Sequence, residues 1–218
     1  MPASWMSAEA DTLGTEWYRR LGDIPSISYT TPVGVDPPAA QASLLPTVHR
    51  FTGLDGKQVE MLEWAGPDGF TSASPAHERA FGDEARSMET SELLRYLYES
   101  LELPGEPSDY HFAIQGTVEE LWRRRRSEPN VMVDIERLSW LDIALIEARP
   151  AAVWFDSPEG GRFARVLAFG WLSSLYEREG AWRDSLAVVQ RGAQLGQGDP
   201  SEALLLHIAA LDAEDTDD

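Results

Sequence analysis

Arg123-Arg124-Arg125-Arg126 is the only basic run in the chain, and it is the first place to look for chemistry. Phosphate and nucleic-acid sites are built from such residues. Four successive helical positions point in different directions, however, so they do not make one patch. Glu119, Glu120 and Glu128 stand close by to neutralise part of the charge. The run reads as a salt-bridge cluster, internal or to a partner. The four histidines, His49, His77, His111 and His207, are scattered, and no pair has metal-ligand spacing. There is no Gly-x-Ser-x-Gly and no phosphate-binding loop. Gly160-Gly161 lacks a following lysine, so it reads as a flexible helix start. Carboxylates are too abundant for a catalytic pair to stand out. No catalytic residue, cofactor site or metal site is therefore assigned.

The elements that must position these side chains follow from punctuation and periodicity. Ser7 caps a first helix with Leu13, Trp17 and Leu21 at fourth positions, and Gly22 stops it. Pro25, Pro32, Pro37, Pro38 and Pro46 exclude a long helix over residues 23–46. Thr47–Phe51 and Gln58–Trp64, joined through Asp55-Gly56, form a β-hairpin, because Asp-Gly supplies the positive φ that a tight turn needs. Val59 and Met61 face one way on it, and Leu62 and Trp64 the other. Gly66-Pro67-Asp68-Gly69 breaks the chain. Ser74-Pro75 opens a short helix to about Arg86, and Glu89–Leu103 forms a firmer one on the stripe Leu93, Leu94, Leu97, Tyr98 and Leu101.

Tyr110, Phe112 and Ile114 alternate with His111 and Ala113, which predicts a short strand. Thr117 with Glu120 fits a capping box for a helix to Arg126. Asp134 caps the next helix, which Pro150 ends. Ala151–Phe155 fits either a strand or a short helix. Ser157-Pro158 opens a helix to Glu179, Gly180 closes it, and a further helix runs from Ala181 to Leu195 before Gly196. Ser201 and Glu202 open the last helix. The expected fold is mainly α with a minor β part (α+β): helical hairpins and a small N-terminal β-hairpin. A small α/β layer over residues 109–156 is the alternative, with strands at 110–114, 131–133 and 151–155. The divisions are a mixed region at 1–110, a helical region at 111–211 and an acidic tail at 212–218.

Residues 166–200 resemble a tetratricopeptide repeat, a helix–turn–helix unit about 34 residues long. Phe169, Leu172, Ser173 and Tyr176 stand at the spacings of its first helix, and Ser185 falls where the second wants a small residue. Gly180 and Trp182 suit the turn. Val189 replaces an aromatic and Pro200 arrives late. One period upstream, Leu138, Ser139, Ala151 and Phe155 match but Asp142 replaces the tyrosine; downstream only Leu206 matches. Any antiparallel helical hairpin with a tight turn shares part of this pattern. The resemblance implies a protein–protein interaction module. The partner-binding candidates are Trp171, Tyr176, Trp182 and the arginines Arg123, Arg124, Arg125 and Arg126. The other tryptophans read mostly as core.

Composition narrows the function classes. The 218 residues carry a formal charge of −19 and no cysteine, so disulfide and thiolate chemistry are excluded. Asp212, Glu214, Asp215, Asp217 and Asp218 crowd the last positions. The rest of the chain stays strongly acidic. Such charge repels nucleic acid and anionic membranes and attracts a basic partner. No basic-then-apolar leader opens the sequence at Met1-Pro2-Ala3-Ser4-Trp5, so a cytoplasmic protein is expected. The expected function is a non-catalytic, acidic adaptor or regulatory protein that binds another protein. The alternatives are an inhibitor or immunity-type protein that blocks a basic or nucleic-acid-binding partner, and an enzyme with a dispersed site.

Overall fold

The computed structural model describes residues 20–53, 56, 58–66, 69–80, 86–155 and 162–214. The fold is mixed α+β, mainly helical, with one small three-stranded antiparallel sheet. The chain divides into two compact units, residues 1–117 and 118–218. The division falls inside a helix, so an element rather than a linker carries the chain across. The expected first helix and its cap at Ser7 lie outside the described residues; Leu21–Asp23 forms a 3-10 turn.

In the first unit the proline-rich segment is irregular, as its composition requires, apart from one helical turn at Ala39–Ala42. Strands β1 (Thr47–Thr52) and β2 (Gln58–Gly66) pair in the register Thr47 to Glu63 through Thr52 to Gln58. Alternation decides the faces. Leu62 and Trp64 are buried, and Val59 and Met61 are exposed. Gly66 pairs with Gly69, and β3 (Gly69–Thr71) extends the sheet.

Helix α1 (Pro75–Ala80) starts where Ser74 Oγ accepts the His77 amide, 3.1 Å. Helix α2 (Thr90–Leu101) buries Leu93, Leu97, Tyr98 and Leu101. Helix α3 (Pro107–Arg124) corrects the strand expected at Tyr110–Ile114. Alternation over five residues is too short to define a period. Tyr110, Ile114, Val118 and Leu121 are all buried at helical spacing. The Thr117–Glu120 pattern is not a cap, since Thr117 lies inside the helix. Its true start has Pro107 as the first helical residue and Asp109 Oδ2 accepting the Glu106 amide, 2.8 Å.

In the second unit, α4 (Val131–Ala148) begins after Asn130. That corrects both the strand expected at 131–133 and the cap at Asp134, which sits in the first turn and pairs with Arg137. The α/β layer over residues 109–156 is therefore not formed. Residues 151–155 divide between the two readings. A 3-10 turn, Pro150–Val153, leads into β4 (Trp154–Phe155), which pairs with β5 (Arg162–Phe163). Ser157, Pro158 and the Gly160-Gly161 pair lie outside the described residues. The helix expected from residue 158 is shorter: α5 runs Leu167–Glu179, because Arg162 and Phe163 are held in the ribbon.

Gly180 closes α5 in the left-handed conformation, φ 76°, and its amide and that of Ala181 reach the helix's last carbonyls. Helix α6 (Trp182–Gln194) folds back along α5. Ser173 and Ser185 meet in their contact, Oγ to Oγ 3.0 Å, which is the close approach that two small side chains permit. Gly192 is packed in the same way, since a Cβ there would stand 3.1 Å from Phe169 Cγ. Ile143, Ile146, Val153, Phe169, Leu172 and Val188 form the core of this unit. Helix α7 (Glu202–Glu214) is capped by Ser201 Oγ, which accepts the Leu204 amide at 3.2 Å. The acidic tail thus starts as helix: Asp212 and Glu214 are in α7, and Asp212 pairs with Arg183 at 3.0 Å. Among the described residues, no helix is long and apolar enough to cross a membrane.

Candidate functional site

Most side chains that could bind a partner lie in the second unit, in three groups. The first is built on α4, α5 and α6. Tyr176 Oη donates to Glu136 at 2.7 Å and accepts from Trp140 Nε1 at 2.9 Å. Burial first, and then the bond to Glu136, raises the Tyr176 pKa. Arg191 stacks over the Trp140 ring, 5.1 Å from its centroid, and grips Glu147 with two bonds of 2.8 and 2.7 Å. Tyr176 is therefore a brace between helices rather than an open anchor.

The second group lies where α3 and α5 end. Trp122 and Trp171 are 6.3 Å apart, centroid to centroid, and tilted by 32°. Arg125 lies over the Trp122 ring at 4.3 Å, and Arg178 approaches the same ring at 5.7 Å. Arg125 also donates to the Trp122 carbonyl. Burial first, and then repulsion from Arg178 and Arg126, lowers the Arg125 pKa. The basic run thus splits in two. Arg123 bonds Glu119 and Glu120, and Arg124 bonds Glu120 at 3.0 Å. Arg125 turns onto the Trp122 ring with Arg126 close by, and neither has a carboxylate partner among the described residues.

The third group surrounds α7. Trp182 stacks on His207, 4.1 Å between centroids and 17° from parallel. At the start of α7 opens a cleft of about 240 Å³, walled by Phe169, Val189 and Leu204. At its polar end Ser173 and Ser185 both donate to Glu177 Oε1, at 3.1 and 3.2 Å. Gln197 closes the far side by accepting the Val166 amide and donating to the Ala164 carbonyl, each at 2.8 Å. Beyond the cleft, α7 turns Leu205 and Leu206 outward, 48% and 65% exposed.

The first unit contains a serine, a histidine and a carboxylate in contact. Ser74 Oγ donates to Asp109 Oδ2 at 2.6 Å, and His77 Nδ1 stands 3.3 Å from Asp109 Oδ1. The serine proton therefore goes to the carboxylate and not to the imidazole, so the Ser–His–Asp relay order is not met. The group ties the start of α1 to the start of α3. Glu106, next to it, is pushed from 4.5 to about 7, first by burial and then by the Asp109 charge. No set of three metal-ligating side chains converges among the described residues.

The structure brings Trp171 to Trp122, on whose ring Arg125 and Arg178 lie, and Trp182 to α7, and it holds Tyr176 between helices. Trp122, Arg178, Glu177 and His207 were not singled out from sequence. For two of them the signal is there: Trp171 and Arg178 are seven residues apart, and Trp122 and Arg125 three, spacings that place each pair on one helix face. Comparison with family models, with curated proteins and with solved structures gave no match.

Proposed function

We propose that this chain is a non-catalytic, cytoplasmic adaptor or regulatory protein whose second unit binds another protein. The observation that carries this reading is α7. Its residues are apolar on nearly every side, yet only the side of Leu204, Ile208 and Leu211 turns inward. Leu205 and Leu206 are left to solvent. A helix hydrophobic all round is normally covered all round. In a tetratricopeptide-like stack, α5 and α6 make one hairpin, α7 starts the next, and a partner segment supplies the missing cover. Asp212 and Glu214 at the end of α7, with the net charge of −19, favour a partner segment in which an apolar stripe is flanked by arginine or lysine.

The test is affinity capture with the wild-type chain and a Leu205→Ser/Leu206→Ser variant side by side. Covering two leucines is worth about 1.5–3 kcal/mol each when complete, so the variant should bind the captured partner at least about tenfold more weakly. A partner held equally by both, with both proteins folded by circular dichroism, overturns the reading. The acidity also suits a blocker of a basic active site or nucleic-acid channel. That second reading requires binding that collapses as salt rises to about 0.5 M, where charges separated by more than a few ångström are screened.

A further inference from the structure

Arg125, Arg126 and Arg178 stand close together in an otherwise acidic chain. Arg123, Arg124, Arg137, Arg183 and Arg191, in the same unit, each reach a carboxylate. None of the three does so among the described residues. They are nevertheless held together, two of them on a single indole. Part of the reason is structural: α3 and α5 both end here, and helix C-termini attract cations. Each C-terminus supplies only about half a negative charge, so two of them offset roughly one of three guanidiniums. Positive charge is left over at a surface where Arg126 and Arg178 are exposed and Trp122, Arg125 and Trp171 are half-buried. The stacking faces are used by the ring, but the N–H edges of a stacked guanidinium stay open for planar, paired hydrogen bonds to an oxyanion. Arg125 is further pinned by its bond to the Trp122 carbonyl, so it loses little freedom on binding. The net charge of the chain does not forbid this, because at physiological salt charges more than about 8 Å away are largely screened, and contact pairs are not.

We propose that Arg125 and Arg178, set against the Trp122 ring beside Trp171, form with the neighbouring Arg126 a binding site for a phosphate monoester. A phosphate offers two negative charges and three acceptor oxygens, enough to engage both stacked guanidiniums at once and relieve their repulsion. The group has two possible sources, a small phosphorylated metabolite or a phosphorylated side chain, and the site's chemistry is common to both.

The experiment is a titration followed by nuclear magnetic resonance of the tryptophan indole N–H and arginine Nε–H signals. The probes are inorganic phosphate, a phosphoserine peptide and adenosine monophosphate, with sodium chloride at matched ionic strength as the reference. Saturable shifts of the Trp122 and Trp171 signals are expected with phosphate-bearing probes, with affinity lowered at least tenfold in Arg125→Gln and in Arg178→Gln. Arg178→Lys keeps the charge but loses the fork, and should weaken binding by less than Arg178→Gln. Tighter binding of the peptide than of phosphate assigns the source to a side chain, tighter binding of the nucleotide assigns it to a small molecule, and equal binding assigns recognition to the phosphate group alone. Shifts no different from those with chloride, or unchanged in both glutamine variants, overturn the proposal. Circular dichroism of each variant separates a lost site from a lost fold.

Discussion

Replacing Glu106 with glutamine should make the protein more stable at neutral pH and leave it unchanged in acid. Glu106 precedes Pro107 at the start of α3, where the helix dipole favours a negative charge by about 0.3–1 kcal/mol. Burial and the Asp109 carboxylate outweigh that and raise its pKa from 4.5 to about 7. Ser74 Oγ and the Glu106 amide both donate to the Asp109 carboxylate, at 2.6 and 2.8 Å. The sign follows from proton binding. The folded chain holds the Glu106 proton more tightly than the unfolded chain, so this contribution to stability is complete below pH 4.5 and is lost as pH rises through about 7. Each pKa unit is worth about 1.4 kcal/mol, which caps the loss at roughly 3.5 kcal/mol. Glu106 is still partly exposed, so about 2 kcal/mol is the working figure. Glutamine imitates the protonated form and removes the loss. Urea denaturation of both proteins at pH 3.5, 5, 6, 7 and 8 reads the difference. With a slope of about 2.5 kcal/mol/M, the midpoints should coincide near pH 3.5, below the unfolded pKa, and separate by about 0.8 M at pH 8, the variant higher. The comparison cancels the other titrating groups to first order. Parallel curves across this range would refute the argument that burial, rather than the helix dipole, governs Glu106.

Two further substitutions probe the second unit. Tyr176→Phe removes one hydrogen bond to a carboxylate and one from Trp140, and half-burial lets water replace part of the loss; a decrease of about 1–2 kcal/mol with an unchanged urea slope is expected, and a change below about 0.3 kcal/mol would show that the brace carries no energy. Gly180→Ala places a side chain at φ 76° and should cost about 1 kcal/mol, with Gly180→Asn milder because asparagine tolerates that conformation; equal stability of all three proteins in thermal melts would contradict the cap.

Local rules read this chain well wherever a single residue type decides the geometry. Gly180 ends α5, Ser201 caps α7, and Leu62 and Trp64 face inward on the hairpin, each for a reason confined to a few neighbouring residues. The failures have a common cause as well. Tyr110, Phe112 and Ile114 alternate, but one helical face also takes in Tyr110, Ile114, Val118 and Leu121, and the longer period wins because it is sustained over three turns. Thr117 and Glu120 satisfied a capping pattern inside that helix, where a buried face outweighs a local hydrogen-bond option. Arg178 could not be placed beside Trp122 from sequence, since that contact depends on how α5 meets the end of α3.

The basic run shows the same boundary within four identical letters. On a helix, an arginine reaches the residues three and four positions before it. For Arg123 those are Glu120 and Glu119, and for Arg124 the fourth is Glu120, so both are neutralised by the helix that carries them. For Arg125 they are Trp122 and Leu121, and for Arg126 they are Arg123 and Trp122; neither finds a carboxylate there. α3 ends at Arg124, which frees the next two residues to turn, and Arg125 settles on the aromatic face three positions back. A single glutamate at position 122 would have been within reach of both. What stands there is an indole. The pairing of the first half of the run was therefore readable from spacing alone. The second half acquires its character only when α5 brings Arg178 to the same ring, which turns two unpaired cations into a cluster of three.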